Sequence, residues 1–184
     1  LYMPSIMRDF PEFHYDEMKS RAENVLTSYL QSITKQNPAL LSEGTRELKE
    51  QLRLRLEMLQ NQSQKESFEN IHIHRTEIHQ YRKQRGRQSI VLQTAVEYFH
   101  ALKENGKVIR GSEEHKEQAK YNVELVYIQD QDMIENQEDA GLGLNCPNCG
   151  APLPGLGAKK CIYCDTPIVE YNLRVWNFSR VEEV

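Results

Sequence analysis

The sequence predicts an α+β fold, a curved antiparallel sheet with N-terminal helices on its concave face. Three observations carry this. Residues 11 to 59 repeat apolar side chains at three- and four-residue steps, residues 69 to 128 alternate them with period two, and the two kinds of segment follow one another without interleaving. A chain of 184 residues buries roughly 70% of the surface its unfolded form exposes, enough for one core and a small appendage.

The first helix is read over 11 to 34. Tyr15, Met18, Ala22, Val25, Leu26, Tyr29, Leu30 and Ile33 share a face, Pro11 and Glu12 suit its first turn, and Asn37-Pro38 ends it. "PALLSEG" makes one or two turns up to Gly44. Thr45 then caps a helix whose Leu48, Leu52, Leu56 and Leu59 line one side. "NQSQKE", 61 to 66, breaks the helical period.

In "ENIHIHRTEIHQY" Ile71 and Ile73 share a face but Ile78 has the other parity. A bulge between Arg75 and Glu77 restores the face and bends the strand. "SIVLQTAVEYFHAL" is a long strand with Ile90, Leu92, Thr94, Val96 and Tyr98 together. Asn105-Gly106 is a two-residue hairpin turn, so "KVIRG" pairs back. Tyr121, Val123, Leu125 and Tyr127 alternate cleanly in the next strand. Residues 129 to 140 are an acidic linker by composition. In the closing "PIVEYNLRVWNF", Val169, Tyr171, Leu173 and Val175 share one face, while Trp176 and Phe178 have the other parity. Three parts result: an α+β domain over 1–140, a cysteine ribbon over 141–168, and a final strand over 169–184 that returns to the main sheet beside 120–128.

Charge and composition narrow the function. The net charge of −4 argues against a surface built for nucleic acid. No run approaches the roughly 18 apolar residues of a membrane span. The chain opens on Leu1, so an upstream anchor or targeting segment is expected to be missing.

All four cysteines fall in C-x2-C-x11-C-x2-C: Cys146, Cys149, Cys161 and Cys164. They make either two disulfides or one metal site. Disulfide staples belong to small secreted domains without a core, and this chain has residues enough for one. Gly150 and Asp165 follow the second cysteine of each pair and tolerate the left-handed backbone of such turns. Four soft thiolates suit Zn2+, and they leave no open position for water, so the metal is read as structural. Nucleic-acid binding by the ribbon has only Lys159 and Lys160 to use. Reduced cysteines point to the cytoplasm or the cytoplasmic face of a membrane.

His72 and His74 share a strand face, as metal ligands do, but the sequence offers no carboxylate at ligand spacing. They are read as a polar strand face. Arg82, Lys83, Arg85 and Arg87 crowd the loop between two strands. They either touch anionic lipid or form a solvated turn. No catalytic triad order, phosphate-cradling glycine loop or zinc-protease motif occurs.

"FPEFHYDEMKSRAENVLTSYLQSITKQNPALL", "NIHIHRTEIHQY", "IVLQTAVEYF" and "VELVYI", with the ribbon "CPNCGAPL…KKCIYCDTPIVEYNLRVWNFSR", together resemble the Tim-forty-four-like domain in its bacterial zinc-ribbon form. That family is named after the tether of the mitochondrial import motor, and the ribbon here departs from the mitochondrial pattern. The resemblance implies a cone-shaped fold, cystatin-like and similar to nuclear transport factor two. It also implies a non-enzymatic binding or adaptor module linked to protein transport and to membranes. Its cavity would hold a protein segment or an apolar ligand. The cone is expected to be lined by Val25, Tyr29, Leu52, Leu56, Ile71, Ile73, Leu92, Val96, Tyr98, Val123 and Leu125. The alternatives are a small enzyme using the same cavity and a zinc-ribbon nucleic-acid binder. The enzyme would need a poised acid or base, and the histidines at 72 and 74 alternate away from the cavity face.

Overall fold

The computed structural model describes residues 1–128, 148–151, 160–165 and 175–184. A short helix the periodicity does not announce, α1 (Met3–Asp9), comes first and buries Ile6 completely. The next helix, α2 (Tyr15–Lys35), starts four residues later than the sequence suggests. Pro11 and Glu12 lie in a turn outside it, where the Phe13 N–H donates to the Phe10 carbonyl at 3.0 Å. Burial of Phe13 to 5% exposure favours the turn over an extra helical turn, which would carry that ring elsewhere. Asp16 and Glu17 occupy the first turn of α2, and Gln36 closes it in the left-handed conformation.

Asn37 caps a single 3-10 turn, Pro38–Leu40, by accepting from the Ala39 N–H. Thr45 caps α3 (Arg46–Asn61) as expected, its Oγ1 accepting from the Leu48 N–H at 3.3 Å. Leu48, Leu52 and Leu59 are buried, and Leu56 is half-buried against the core.

The described sheet has five strands: β1 (Gln64–Gln84), β2 (Arg87–Glu104), β3 (Lys107–Gly111), β4 (Glu117–Ile128) and β5 (Val175–Glu183). All described pairings are antiparallel, in the order β1-β2-β4-β5, with β3 paired to the end of β2. Asn105 and Gly106, at φ 53° and 79°, make the expected tight turn between β2 and β3. The inward face of β2 is the predicted one: Ile90, Leu92, Thr94, Val96 and Tyr98 are at most 1% exposed. Helices α2 and α3 lie over this face, so one core fills the space between the layers.

β1 is bent by three register shifts, between Glu69 and His72, Ile73 and Arg75, and Ile78 and Gln80. The single bulge expected between Arg75 and Glu77 falls two residues earlier, at His74. The reason is Thr76. Its hydroxyl meets the Thr94 hydroxyl at 3.0 Å and donates to Glu23 at 2.5 Å, so Thr76 takes the inward position that alternation would deny it. Asn70 supplies the positive φ, 52°, at the first shift.

β4 and β5 are neighbours, with Leu125 opposite Phe178 and Tyr127 opposite Trp176. The strands that flank the cysteine segment in the chain are therefore joined in the sheet. Ser179 is the extra residue of a bulge, and its hydroxyl donates to Glu124 at 2.6 Å. The acidic linker, Cys146, Lys159, and Val169, Tyr171 and Leu173 of the expected final strand lie outside the described residues.

Candidate functional site

Two sites emerge, one of sulfur and one of charge. At the first, the Sγ atoms of Cys149, Cys161 and Cys164 all lie within 4.8 Å of one another. No disulfide joins these three cysteines. Cys149 Sγ and Cys161 Sγ are 3.7 Å apart. That is far beyond a disulfide bond of about 2.05 Å. It matches the separation of about 3.8 Å that a tetrahedron with metal–sulfur bonds of about 2.3 Å requires.

The backbone builds this arrangement. Gly150 and Asp165, each following the second cysteine of its pair, take φ of 74° and 61°. These are the left-handed positions expected from residue type alone. The Asp165 N–H donates to the Cys161 carbonyl at 2.9 Å, closing the second turn. The Tyr163 N–H points at Cys161 Sγ at 3.4 Å and the Asn148 amide at Cys164 Sγ at 3.7 Å. Such donors favour thiolate over thiol. Cys161 is fully buried. Three cysteines thus lie close enough to bind one metal ion, and the donor set suits a soft or borderline cation.

The second site is an open cleft of about 480 Å³ where α2 and α3 meet the starts of β1 and β4 and the ends of β2 and β5. Tyr29, Leu30, Ile33 and Phe68 give it an apolar floor, and Leu54 and Met58 of α3 stand exposed at its rim. Into this floor β1 and β2 bring Glu66 and His100, both under 10% exposed. Glu66 Oε2 is 2.7 Å from His100 Nε2, and the Arg55 guanidinium donates to Glu66 Oε1. The other ring nitrogen, Nδ1, faces Glu117 at 3.2 Å. The Phe68 ring stacks on the imidazole at 4.7 Å.

The charges settle one another. Burial alone would depress the His100 pKa, but the Glu66 hydrogen bond and the charges of Glu66 and Glu117 outweigh it and hold it above the ordinary 6.5. Burial would likewise raise Glu66, yet its bonds to His100 and Arg55 hold it below the ordinary 4.5. Nearby, the Tyr98 and Tyr121 hydroxyls meet at 2.8 Å, and burial pushes Tyr98 up to about 12. Gln51 joins the Tyr29 hydroxyl to the Val181 carbonyl at the same end.

Of the residues expected to line the cone, Val25, Leu52, Leu92, Val96, Tyr98, Val123 and Leu125 are buried in the core between the layers. Leu56, Ile71 and Ile73 are partly buried against it, and Tyr29 alone of the eleven reaches the described cleft. The residues the motif reading passes over are Glu66, His100 and Arg55. The signal for two of them is parity. His100 continues the inward series of Val96 and Tyr98, and Glu66 that of Phe68, so a period-two count places both on the inner face.

The basic cluster is less a loop than expected. Only Arg85 and Gly86 form the turn, while Arg82, Lys83 and Arg87 belong to the strands. Lys83 is held by Asp9 at 2.6 Å, and Arg87 by Glu124 at 2.9 Å and Glu47 at 3.4 Å. Arg82 and Arg85 have no ion-pair partner among the described residues. Among the described residues no helix is long and apolar enough to cross a membrane. The chain matches no protein-family model and none of the curated proteins compared with it.

Proposed function

We propose that the chain is a non-enzymatic binding module of the Tim-forty-four-like type, with a transport-related adaptor role. Its cleft takes an amphipathic ligand or a partner segment with an apolar body, and Cys146, Cys149, Cys161 and Cys164 hold a structural Zn2+ beside the sheet. One observation carries the binding reading. His100, the one histidine that lines the cleft, has each ring nitrogen facing a carboxylate. An imidazolium so held has no lone pair to offer and works as a charged clamp between strands. The apolar floor and the exposed Leu54 and Met58 supply what a binding surface needs.

The test uses dansyl-labelled decanoate as an apolar-bodied probe. Saturable binding that Leu54→Glu with Met58→Glu reduces at least tenfold supports the reading; equal binding by that variant sinks it. Metal analysis of the purified chain should give one Zn2+, lost in Cys149→Ser. Two disulfides by mass and no zinc would overturn the metal assignment.

A small enzyme is the second reading, favoured by the 2.7 Å contact of Glu66 with His100 inside the cleft. A turnover whose rate follows a single base and vanishes in His100→Gln, with probe binding intact, would install it in place of the first. Contact with an anionic membrane surface rests on Arg82 and Arg85, since Lys83 and Arg87 already face carboxylates. Nucleic acid is not a favoured partner, and reduced cysteines place the module on the cytoplasmic side.

A further inference from the structure

The outer face of the sheet carries a second constellation that neither the cleft nor the cysteines use. His72 stands directly opposite Glu97 in the β1–β2 register, so their side chains leave the sheet on the same side. Strict alternation would give this face His72 and the next even-numbered residues. The bulge at His74 changes that: Ile73 pairs with Val96 and Arg75 with Ala95, leaving His74 as an extra outward residue beside the pair. The result is close. The two imidazole rings lie 4.9 Å apart, edge to face, and His74 Nε2 is 3.2 Å from Glu97 Oε2. The carboxylate is steadied by Gln118 of β4, whose amide donates to Oε2 at 2.8 Å, with Lys116 at 3.8 Å from Oε1. Arg75, the next outward cation, is paired with Glu77.

We propose that His72, His74 and Glu97 form a surface site for a borderline divalent transition metal, with Gln118 orienting the carboxylate. Two imidazoles and one carboxylate on one face are a donor set that Zn2+ and Ni2+ accept. Both histidines are exposed, so the ion has a path in, and open positions stay available to water. Closing on an ion takes only rotation of two exposed imidazoles about their side-chain bonds. The backbone placement is already made by the bulge. Such an ion ties β1 to β2 where the register shifts.

The probe is Zn2+ alone, titrated into the full chain against a chromophoric competitor. The cysteine site is distinguished with Cys149→Ser. The wild type should take up one equivalent more than the His72→Ala/His74→Ala variant, and Cys149→Ser should keep that equivalent. Glu97→Gln retains both imidazoles and should weaken it at least tenfold, and Gln118→Ala by about tenfold, the effect typical of residues that orient metal ligands. Zn2+ should raise the thermal midpoint of Cys149→Ser and leave it unmoved when His72 and His74 are also alanine. Equal uptake by wild type and the double-histidine variant overturns the proposal. So does a loss that His79→Ala, on the same strand, reproduces in full. Far-UV circular dichroism without metal checks that each variant is folded.

Discussion

The two ends of the helix–sheet sandwich are closed by opposite means. At the α1 end, Phe10, Phe13, Tyr127 and Trp176 pack edge to face with ring centres 4.6 to 5.5 Å apart. At the other end a half-open cleft is crossed by Arg55, Glu66, His100 and Glu117. The same two strands, β2 and β4, and the same helix, α2, run through both. What differs is the local sequence: α1 adds aromatic area at one end, while at the other Glu66 and His100 take inward positions that elsewhere hold Leu or Val. An aromatic plug is insensitive to pH and fills its space. A charge cluster fixes strand geometry, depends on protonation, and leaves room for something else. The likeness in fold and difference in chemistry make the charged end the place to look for binding.

The largest effect expected is at the aromatic end. Phe13→Ala should cost about 4 kcal/mol, the range for emptying a buried aromatic site, with the same loss at pH 5 and pH 8 in urea unfolding. Glu66→Gln should cost about 3 kcal/mol, because it leaves His100 and Arg55 without their shared carboxylate, and its loss should vary with pH. The signs follow from the directions of the two shifts. Glu66, held below 4.5, contributes stability fully present above that value and lost as pH falls through its folded pKa. His100, held above 6.5, contributes stability fully present below that value and lost as pH rises through its folded pKa. Both are in force together between about pH 4.5 and 6.5, so the Glu66→Gln deficit should be greatest there. A deficit as flat with pH as that of Phe13→Ala would erase the distinction between the ends.

Much of this architecture is legible in the residues. The inward series of β2, the Asn105-Gly106 turn, the Thr45 cap and the pairing of β4 with β5 all follow from period, turn chemistry and chain order. What is not legible depends on partners distant in sequence. Thr76 shifts the bulge by bonding to Thr94 and Glu23, neither of which the local pattern names. Phe13 leaves the helix because Trp176 waits for it at the far end of the chain. The left-handed positions at Gly150 and Asp165 could be read, since residue type decides them. Glu97 could not be paired with the histidines from sequence, because the pairing exists only through register.

A third test probes how α3 is held across both ends. The Thr45 hydroxyl caps α3 while its N–H donates to the Phe178 carbonyl at 2.8 Å. Thr45→Ala removes the cap alone and should cost about 1 kcal/mol. A larger loss would mean that the helix start, more than either closed end, organises the sandwich.

The smallest effect belongs to the tip of the β1–β2 hairpin, at the aromatic end. Lys83 and Arg87 are engaged by Asp9, Glu124 and Glu47, so replacing either should disturb the contacts of α1 or α3. Arg82 and Arg85 have no ion-pair partner among the described residues, so Arg82→Ala with Arg85→Ala should change stability by no more than about 0.5 kcal/mol. Their charge is then available for an external surface. Flotation with vesicles rich in phosphatidylserine should carry the wild type upward at low salt and the double variant less, with the difference gone at high salt because an exposed charge is screened. If the variant floats as the wild type does, these two arginines are only the solvated turn that keeps a strand end soluble. If it floats less at low salt while Phe13→Ala does not, the aromatic end has a surface role separable from its packing, and the two ends differ in what they face as well as in how they are closed.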